Sequence, residues 1–385
     1  MEISKVKKVT VAGAGTMGTL IAQTFASHGY TVALWNRSES GLERGRSIIA
    51  ENLEAVPPEE RDAAASRLTM TTDPDCFRDA DFVLESIAED MDVKHAFYRQ
   101  IEPLLKGTCL VATNTSGLSI TALSQAFGAP ERFCGMHWIN PANLIPLIEV
   151  ISGTSTAPET AQTVYALAED LGKKPIHVKD VPGFALNRLQ FAVLREALHM
   201  VETGAASMED VDKAMKYGLG LRYACIGPFE TADLGGLDIF CGISEYLFAD
   251  LADDKEPQAL LRQKKAEGKL GLKSGEGFFD YSDGHGAKAV AERNRKLAAL
   301  SEILCGSSHT NPLKCRKKAA VCCSQAAAFF TRGRVPSGTS LFSHMPGSRA
   351  APPPAPAPHS GCASPEQPEQ TGTAEARQRS PAPAA

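Results

Sequence analysis

The chain has 385 residues, 43% of them hydrophobic and 22% charged, which suits a globular protein of two or three domains and argues against a fibrous one. No apolar run approaches the ~20 residues of a membrane span, and residues 1–5 lack the charged-then-apolar order of a secretory leader, so a cytoplasmic protein with no membrane contact is expected. The net charge of −5 is unevenly divided: residues 305–385 carry nine Lys or Arg against three Glu, leaving −11 on the first 304 and a poor balance for nucleic-acid binding.

In chain order, the first half alternates short apolar runs with amphipathic stretches, the pattern of strand-helix-strand units in a parallel sheet. Strands are predicted at 9–12, 31–35, 81–85, 108–112, 133–137, 147–151 and 176–178, with a helix over 17–28. Residues 41–68 form a helical excursion broken at Pro57-Pro58. After Asp180-Val181-Pro182-Gly183 the spacing turns helical, at 184–202 and 208–217, and a charged helix is predicted at 287–304. The expected organisation is an α/β dinucleotide-binding domain at 1–180, a smaller all-α domain at 181–304 and a tail at 305–385. The tail holds 12 of the 24 prolines and is expected to be disordered, a partner-binding arm or the product of a shifted frame being the alternatives. Cys76, Cys109, Cys134, Cys225 and Cys241 stand singly, without the paired spacing of a metal site or disulfide framework, so incidental thiols and no metal are expected.

The run Gly13-Ala14-Gly15-Thr16-Met17-Gly18 follows a predicted strand and opens a predicted helix. Gly13 permits the tight turn, Gly15 lets a pyrophosphate approach the backbone, and Gly18 lets helix pack closely on strand, while the helix amides face the phosphates. This context predicts a nicotinamide dinucleotide. The tip of the second strand carries Asn36-Arg37, where an acid would bind the ribose hydroxyls of NAD. Asn does not repel a 2′-phosphate and Arg can pair with one, which leans toward NADP; Asn36 on the ribose and Arg37 on the adenine, with no strict preference, is the alternative.

His137 and Glu149 lie at the edges of two predicted strands with the turn Asn140-Pro141 between them. A carboxylate returned to the imidazole would fix its tautomer and stabilise the imidazolium, and a His so held can take the hydroxyl proton of an alcohol as hydride leaves.

On these residues the sequence resembles the 3-hydroxyacyl-CoA dehydrogenase family over about residues 6–282. The motifs that carry the resemblance are Asn114-Thr115-Ser116, His137 with Asn140-Pro141 and Glu149, Pro182-Gly183-Phe184 with Asn187-Arg188, Gly227-Pro228-Phe229-Glu230 with Asp233 and Gly236-Leu237-Asp238, and the 271–279 run with Lys273. The resemblance implies that His137 is the general base, Glu149 its orienting partner, and Ser116 and Asn187 substrate hydrogen-bonding groups. It sets Thr16 and Met17 among the cofactor contacts, places Glu89, Lys94, Ser116, Asn140 and Lys273 on the nicotinamide side with Asn114 beside them, and implies a homodimer through the helical domain. The implied reaction is oxidation of a short L-3-hydroxyacyl-CoA to the 3-ketoacyl-CoA with hydride transfer to NAD(P), or its reverse.

Two departures keep the substrate open. The family's aromatic pair after the His is replaced by Trp138-Ile139, and Gly220-Leu221-Arg222-Tyr223 places an Arg near the helical domain's substrate-facing loop. Arg222 suits capture of a carboxylate, as in relatives acting on free hydroxy acids of the gulonate or carnitine type; a structural ion pair is the alternative. Arg44, Arg46, Arg61 and Arg67 lie among acidic residues and make no obvious polyanion site. A non-catalytic, crystallin-like cofactor-binding protein is the competing class.

Overall fold

The structure, a computed structural model, describes residues 2–53 and 58–306. The tail therefore lies outside the described residues except for its first two positions, as does the break at Pro57.

The elements run β1 (Lys8–Ala12), α1 (Thr16–Ser27), β2 (Thr31–Trp35), α2 (Glu39–Leu53), α3 (Pro58–Ala65), β3 (Leu68–Thr71), β4 (Phe82–Glu85), α4 (Met91–Ile101), β5 (Leu110–Thr113), α5 (Ile120–Ser124), β6 (Phe133–Trp138), β7 (Leu147–Ser152), α6 (Pro158–Asp170) and β8 (Lys174–Lys179). They form one eight-stranded sheet in the order β3-β2-β1-β4-β5-β6-β7-β8. All pairs are parallel except β6 with β7. The exception follows from chain length, because the link 139–146 is too short for a crossover and can only turn back.

Helices cover both faces, so β4, β5 and β6 are buried along their whole length and consist of nearly continuous apolar residues. One core cluster joins Ile21 and Phe25 of α1 and Val164 and Leu167 of α6 to Val9, Val11 and Leu34. The other joins Phe97 and Tyr98 of α4 and Leu123 of α5 to Val83, Val111 and Phe133. The strand order reverses between β1 and β4, and the loops after these two strands open the crevice where such sheets bind ligands.

Beyond the sheet, α7 (Leu186–Glu202), α8 (Met208–Ala214), α9 (Gly220–Cys225), α10 (Pro228–Gly235), α11 (Leu237–Leu247), α12 (Ala259–Ala266) and α13 (His285–Cys305) follow, with a π-helical turn at Met215–Leu219 joining α8 to α9. Polar side chains of α7 tie down the 252–260 stretch: Glu196 accepts from Ala252 N–H at 2.8 Å and Glu202 from Leu260 N–H at 2.7 Å.

Two expectations need correction. The excursion 41–68 is helical only as far as Ala65, and Leu68 opens β3, a four-residue edge strand too short to show periodicity. The helix predicted from 184 starts at Leu186, because Phe184 adopts a left-handed φ of 50° that no helix contains. Among the described residues, no helix is long and apolar enough to cross a membrane.

Candidate active site

The loops after β1, β4, β5 and β6 and the start of α7 line an open cavity of about 590 Å³. Gly15, Thr16 and Met17 form one end; Glu89, Asn114, Ser116, His137, Asn140 and Asn187 are also in its wall.

At the glycine end, Gly13 has a φ of 109°, and its N–H donates to Trp35 carbonyl at 2.8 Å. A Cβ there would strike the carbonyl of Ser86, and one on Gly18 would strike the carbonyl of Gly13. A Cβ on Gly15 would meet nothing within 4 Å and would occupy the open space in front of α1. The first and third glycines therefore permit backbone packing, whereas the middle one keeps the helix N-terminus accessible to an anion. The cradle fits a dinucleotide pyrophosphate.

Asn36 is turned into its own loop. Its Oδ1 accepts from Ala14 N–H at 3.3 Å, and its amide donates to the Ser38 carbonyl at 3.0 Å. Arg37 is exposed at the same strand tip.

The catalytic pair is set by strand register. His137 and Glu149 are directly opposed in the antiparallel β6–β7 ladder, and His137 Nδ1 lies 2.7 Å from Glu149 Oε2. Glu149 is fully buried, and its other oxygen accepts the N–H groups of Ala185 and Leu186 at 2.8 and 2.9 Å. Burial pushes this carboxyl up, but the His137 contact and the two backbone donors outweigh it and hold the group below its usual range. An ionised Glu149 accepts a hydrogen bond from Nδ1–H, which fixes the tautomer and leaves the Nε2 lone pair as the basic site of an imidazole in the cavity wall.

Phe184 was not singled out as a site residue, yet its ring centroid is 5.8 Å from that of His137. Its left-handed backbone, costly for a bulky residue, turns the chain so that the next two amides reach Glu149. An aromatic directly after Pro182-Gly183, at the first position of the predicted helix, was the available signal.

Asn187, in the first turn of α7, donates to the Ser116 carbonyl at 2.9 Å. This draws the substrate-binding candidates from the two halves of the chain together. Asn114 Oδ1 accepts Trp138 N–H at 2.8 Å and its amide donates to Ser86 Oγ at 3.2 Å, tying the ends of β4, β5 and β6 to one another.

Glu89 Oε1 accepts Thr115 Oγ1 at 2.6 Å and Ser116 N–H at 2.8 Å. Lys94 does not line the cavity. It is buried on α4, with Nζ 2.5 Å from Glu85 Oε1 and 3.4 Å from Glu89 Oε2. Its reach to a cofactor is thus indirect, through Glu89. Glu85, missed in the sequence, also accepts Ile87 N–H, Tyr98 hydroxyl and Thr113 hydroxyl, and burial beside it pushes the Tyr98 phenol well above its usual value. An acid closing an apolar strand was the signal for it. Gln190, one turn after Asn187, is a further wall residue that the sequence did not flag. Lys273 and Arg222 are exposed and stand outside the cavity wall, so this chain alone does not bring them to the site.

Residues 8–181 match the family model of the 3-hydroxyacyl-CoA dehydrogenase NAD binding domain, and residues 183–281 that of the 3-hydroxyacyl-CoA dehydrogenase C-terminal domain. The chain belongs to the 3-hydroxyacyl-CoA dehydrogenase family. A 5-formyl-3-hydroxy-2-methylpyridine 4-carboxylate 5-dehydrogenase of Mesorhizobium japonicum is 39% identical over 306 residues, covering 78% of this chain and 99% of the relative. A probable 3-hydroxybutyryl-CoA dehydrogenase of Deinococcus radiodurans is 40% identical over 280 residues, covering 71% and 100%. Among solved structures, that of a 5-formyl-3-hydroxy-2-methylpyridine 4-carboxylic acid 5-dehydrogenase, described as an NAD+-dependent dismutase, superposes with a TM-score of 0.72 at 38% identity over 78% of this chain and 98% of its own. Membership makes this 3-hydroxyacyl-CoA dehydrogenase family protein an oxidoreductase with an NAD binding domain.

Proposed function

We propose that the protein oxidises a short-chain L-3-hydroxyacyl-CoA to the 3-ketoacyl-CoA, or catalyses the reverse, with NAD as redox partner. The observation that carries this reading is that the His137–Glu149 pair stands in the wall of the same cavity as the glycine cradle. Bound NAD supplies the hydride acceptor. His137 takes the hydroxyl proton at Nε2, and Glu149 stabilises the imidazolium that results. The Ser116 hydroxyl and the Asn187 amide hold the reacting oxygen. Glu89, braced by Lys94, and Asn140 shape the nicotinamide end; Asn114 sets the wall between them.

NADP is accepted alongside NAD in this reading, because Asn36 leaves no acid at the ribose and exposed Arg37 can meet a 2′-phosphate. Residues 1–180 act as the dinucleotide domain and 181–304 as the substrate and dimer domain, in a cytoplasmic enzyme. Support for a homodimer is the apolar surface of the helical domain, where Phe229 is 86%, Leu234 77% and Tyr217 76% exposed. Lys273 and Arg222 would then act from that domain as it packs in the dimer.

A second reading has a specific observation in its favour: the relative named for a pyridine carboxylate matches almost its full length, so a free hydroxy or formyl acid is the alternative substrate. Steady-state assays with acetoacetyl-CoA and with free 3-hydroxy acids, each with NAD(H) and NADP(H), separate the readings. H137Q is expected to lower kcat by about 10²–10⁴-fold with NADH binding nearly intact. Turnover like that of the wild type in H137Q would sink the mechanism.

A further inference from the structure

The loop 139–146 begins in the cavity wall with Ile139 and Asn140 and ends at Pro146, where β7 starts. Behind it, just before β8, lies Lys173, only 4% exposed. Its ammonium donates to the carbonyls of Ala142 at 2.7 Å and Ile145 at 2.9 Å, and it sits 5.2 Å from the centroid of the Trp138 ring. Burying an ammonium is costly, and here burial pushes Lys173 down to about 7. The return is positional. The two carbonyls bracket the loop, and without this donor the carbonyls of buried Ala142 and half-buried Ile145 would each lose a hydrogen-bond partner.

Trp138 depends on the same group. Its indole N–H finds no acceptor among the described residues, so the ring is held by its tilted contact with Phe25 at 6.0 Å and by Lys173 over its face. Trp138 follows His137 directly and is itself part of the cavity wall.

We propose that Lys173 is a positioning residue for the nicotinamide end of the cofactor, clamping the 139–146 loop and Trp138 so that Ile139 and Asn140 keep their place in the wall. The inference rests on the dinucleotide reading of this cavity. Lys173 touches neither cofactor nor substrate and acts through the loop alone. The titratable groups that interact electrostatically with it are His28 on α1 and Cys305 at the end of α13; Asp170 on α6, which accepts the Tyr30 hydroxyl at 2.6 Å, acts on the same His28.

The test is equilibrium titration of the full-length wild type, K173M and K173R with NADH, followed by nicotinamide fluorescence. K173M is expected to bind NADH about tenfold or more weakly at about pH 6, the scale of two loop carbonyls losing a charged donor, with kcat at saturating cofactor falling no more than about threefold. K173R keeps a permanent charge and two donors, and is expected to restore affinity to within about twofold. Folded K173M that binds NADH as the wild type does would overturn the proposal. If K173M does not fold, titration over about pH 6–9 decides: wild-type affinity should weaken several-fold as Lys173 loses its proton while K173R stays flat, and matching curves would overturn the proposal. These titrations need no substrate. Failure of the wild type to turn over either acetoacetyl-CoA or free hydroxy acids would instead remove the catalytic reading and leave the loop inference standing.

Discussion

The sheet layer and the helical layer of this chain treat similar apolar residues in opposite ways. Every residue of β4, β5 and β6 is buried, and Phe82, Phe133 and Phe25 have no exposed surface. No residue of α8, α9, α11 or α12 is buried, and Phe229, Leu234 and Phe248 are mostly in solvent. A sheet covered on both faces completes its own core, whereas the helices carry apolar area that only another surface can cover. The active-site candidates sit at the seam, with Glu149 reaching from the sheet to the first amides after Phe184.

E149Q attacks that seam and carries the largest expected effect. The two backbone donors of Ala185 and Leu186 would hold the oxygen of the introduced amide toward themselves, so its NH₂ would face His137 Nδ1. That places the imidazole proton on Nε2 and removes the base. Turnover is expected to fall by about 10²–10⁴-fold with the fold retained, as measured by kcat alongside thermal unfolding. There is also a pH signature. Because the folded Glu149 carboxyl lies below its ordinary value, its stabilisation is complete above the unfolded value of about 4.3 and is lost as pH falls through the folded one. The stability gap between wild type and E149Q should therefore narrow on acidification below about pH 4.

A pair of phenylalanine truncations sharpens the contrast between layers. F82A opens a cavity in a closed core and is expected to cost about 3–5 kcal/mol in chemical denaturation. F229A removes an exposed ring and should change the stability of an isolated protomer by less than about 0.5 kcal/mol. Its effect should appear in sedimentation instead, as weaker self-association. Equal losses from the two truncations would contradict the contrast between a completed core and an open surface.

The same contrast explains what the sequence disclosed. Strands β1, β2 and β4–β6 are apolar runs bounded by turns, and the first glycine run is constrained by backbone contacts that any reader of the motif can anticipate. The His137–Glu149 pair was legible because His137 closes one predicted run and Glu149 is the single charge inside the next, and an eight-residue link forces the two strands antiparallel. Depth was not legible. Lys94 looks like a cavity residue from its place after Glu89, but one helical turn carries it beneath the floor to Glu85. Phe184 looks like the start of a helix because its side chain is apolar, and only its φ shows that it ends the turn instead. In the helical layer, amphipathic spacing revealed α7, α8 and α13 but neither the short helices α9–α12 nor which faces remain uncovered.

Arg222 gives the smallest expected effect and the most direct test of where the helical surface goes. It lies on α9 between exposed Leu221 and Tyr223 and is not part of the cavity wall. For a thioester substrate, R222A should therefore change kcat/KM by less than about twofold, as surface substitutions generally do. A free acid presents a carboxylate that a guanidinium binds through two charged hydrogen bonds, and losing that contact should raise KM by about tenfold or more. A selective rise with the free acid would mean that packing of the helical surface brings α9 to a catalytic cleft. Equal, small changes with both substrates would leave Arg222 a surface cation and return specificity to the cavity wall, where Gln190 and Ile139 stand beside Asn187.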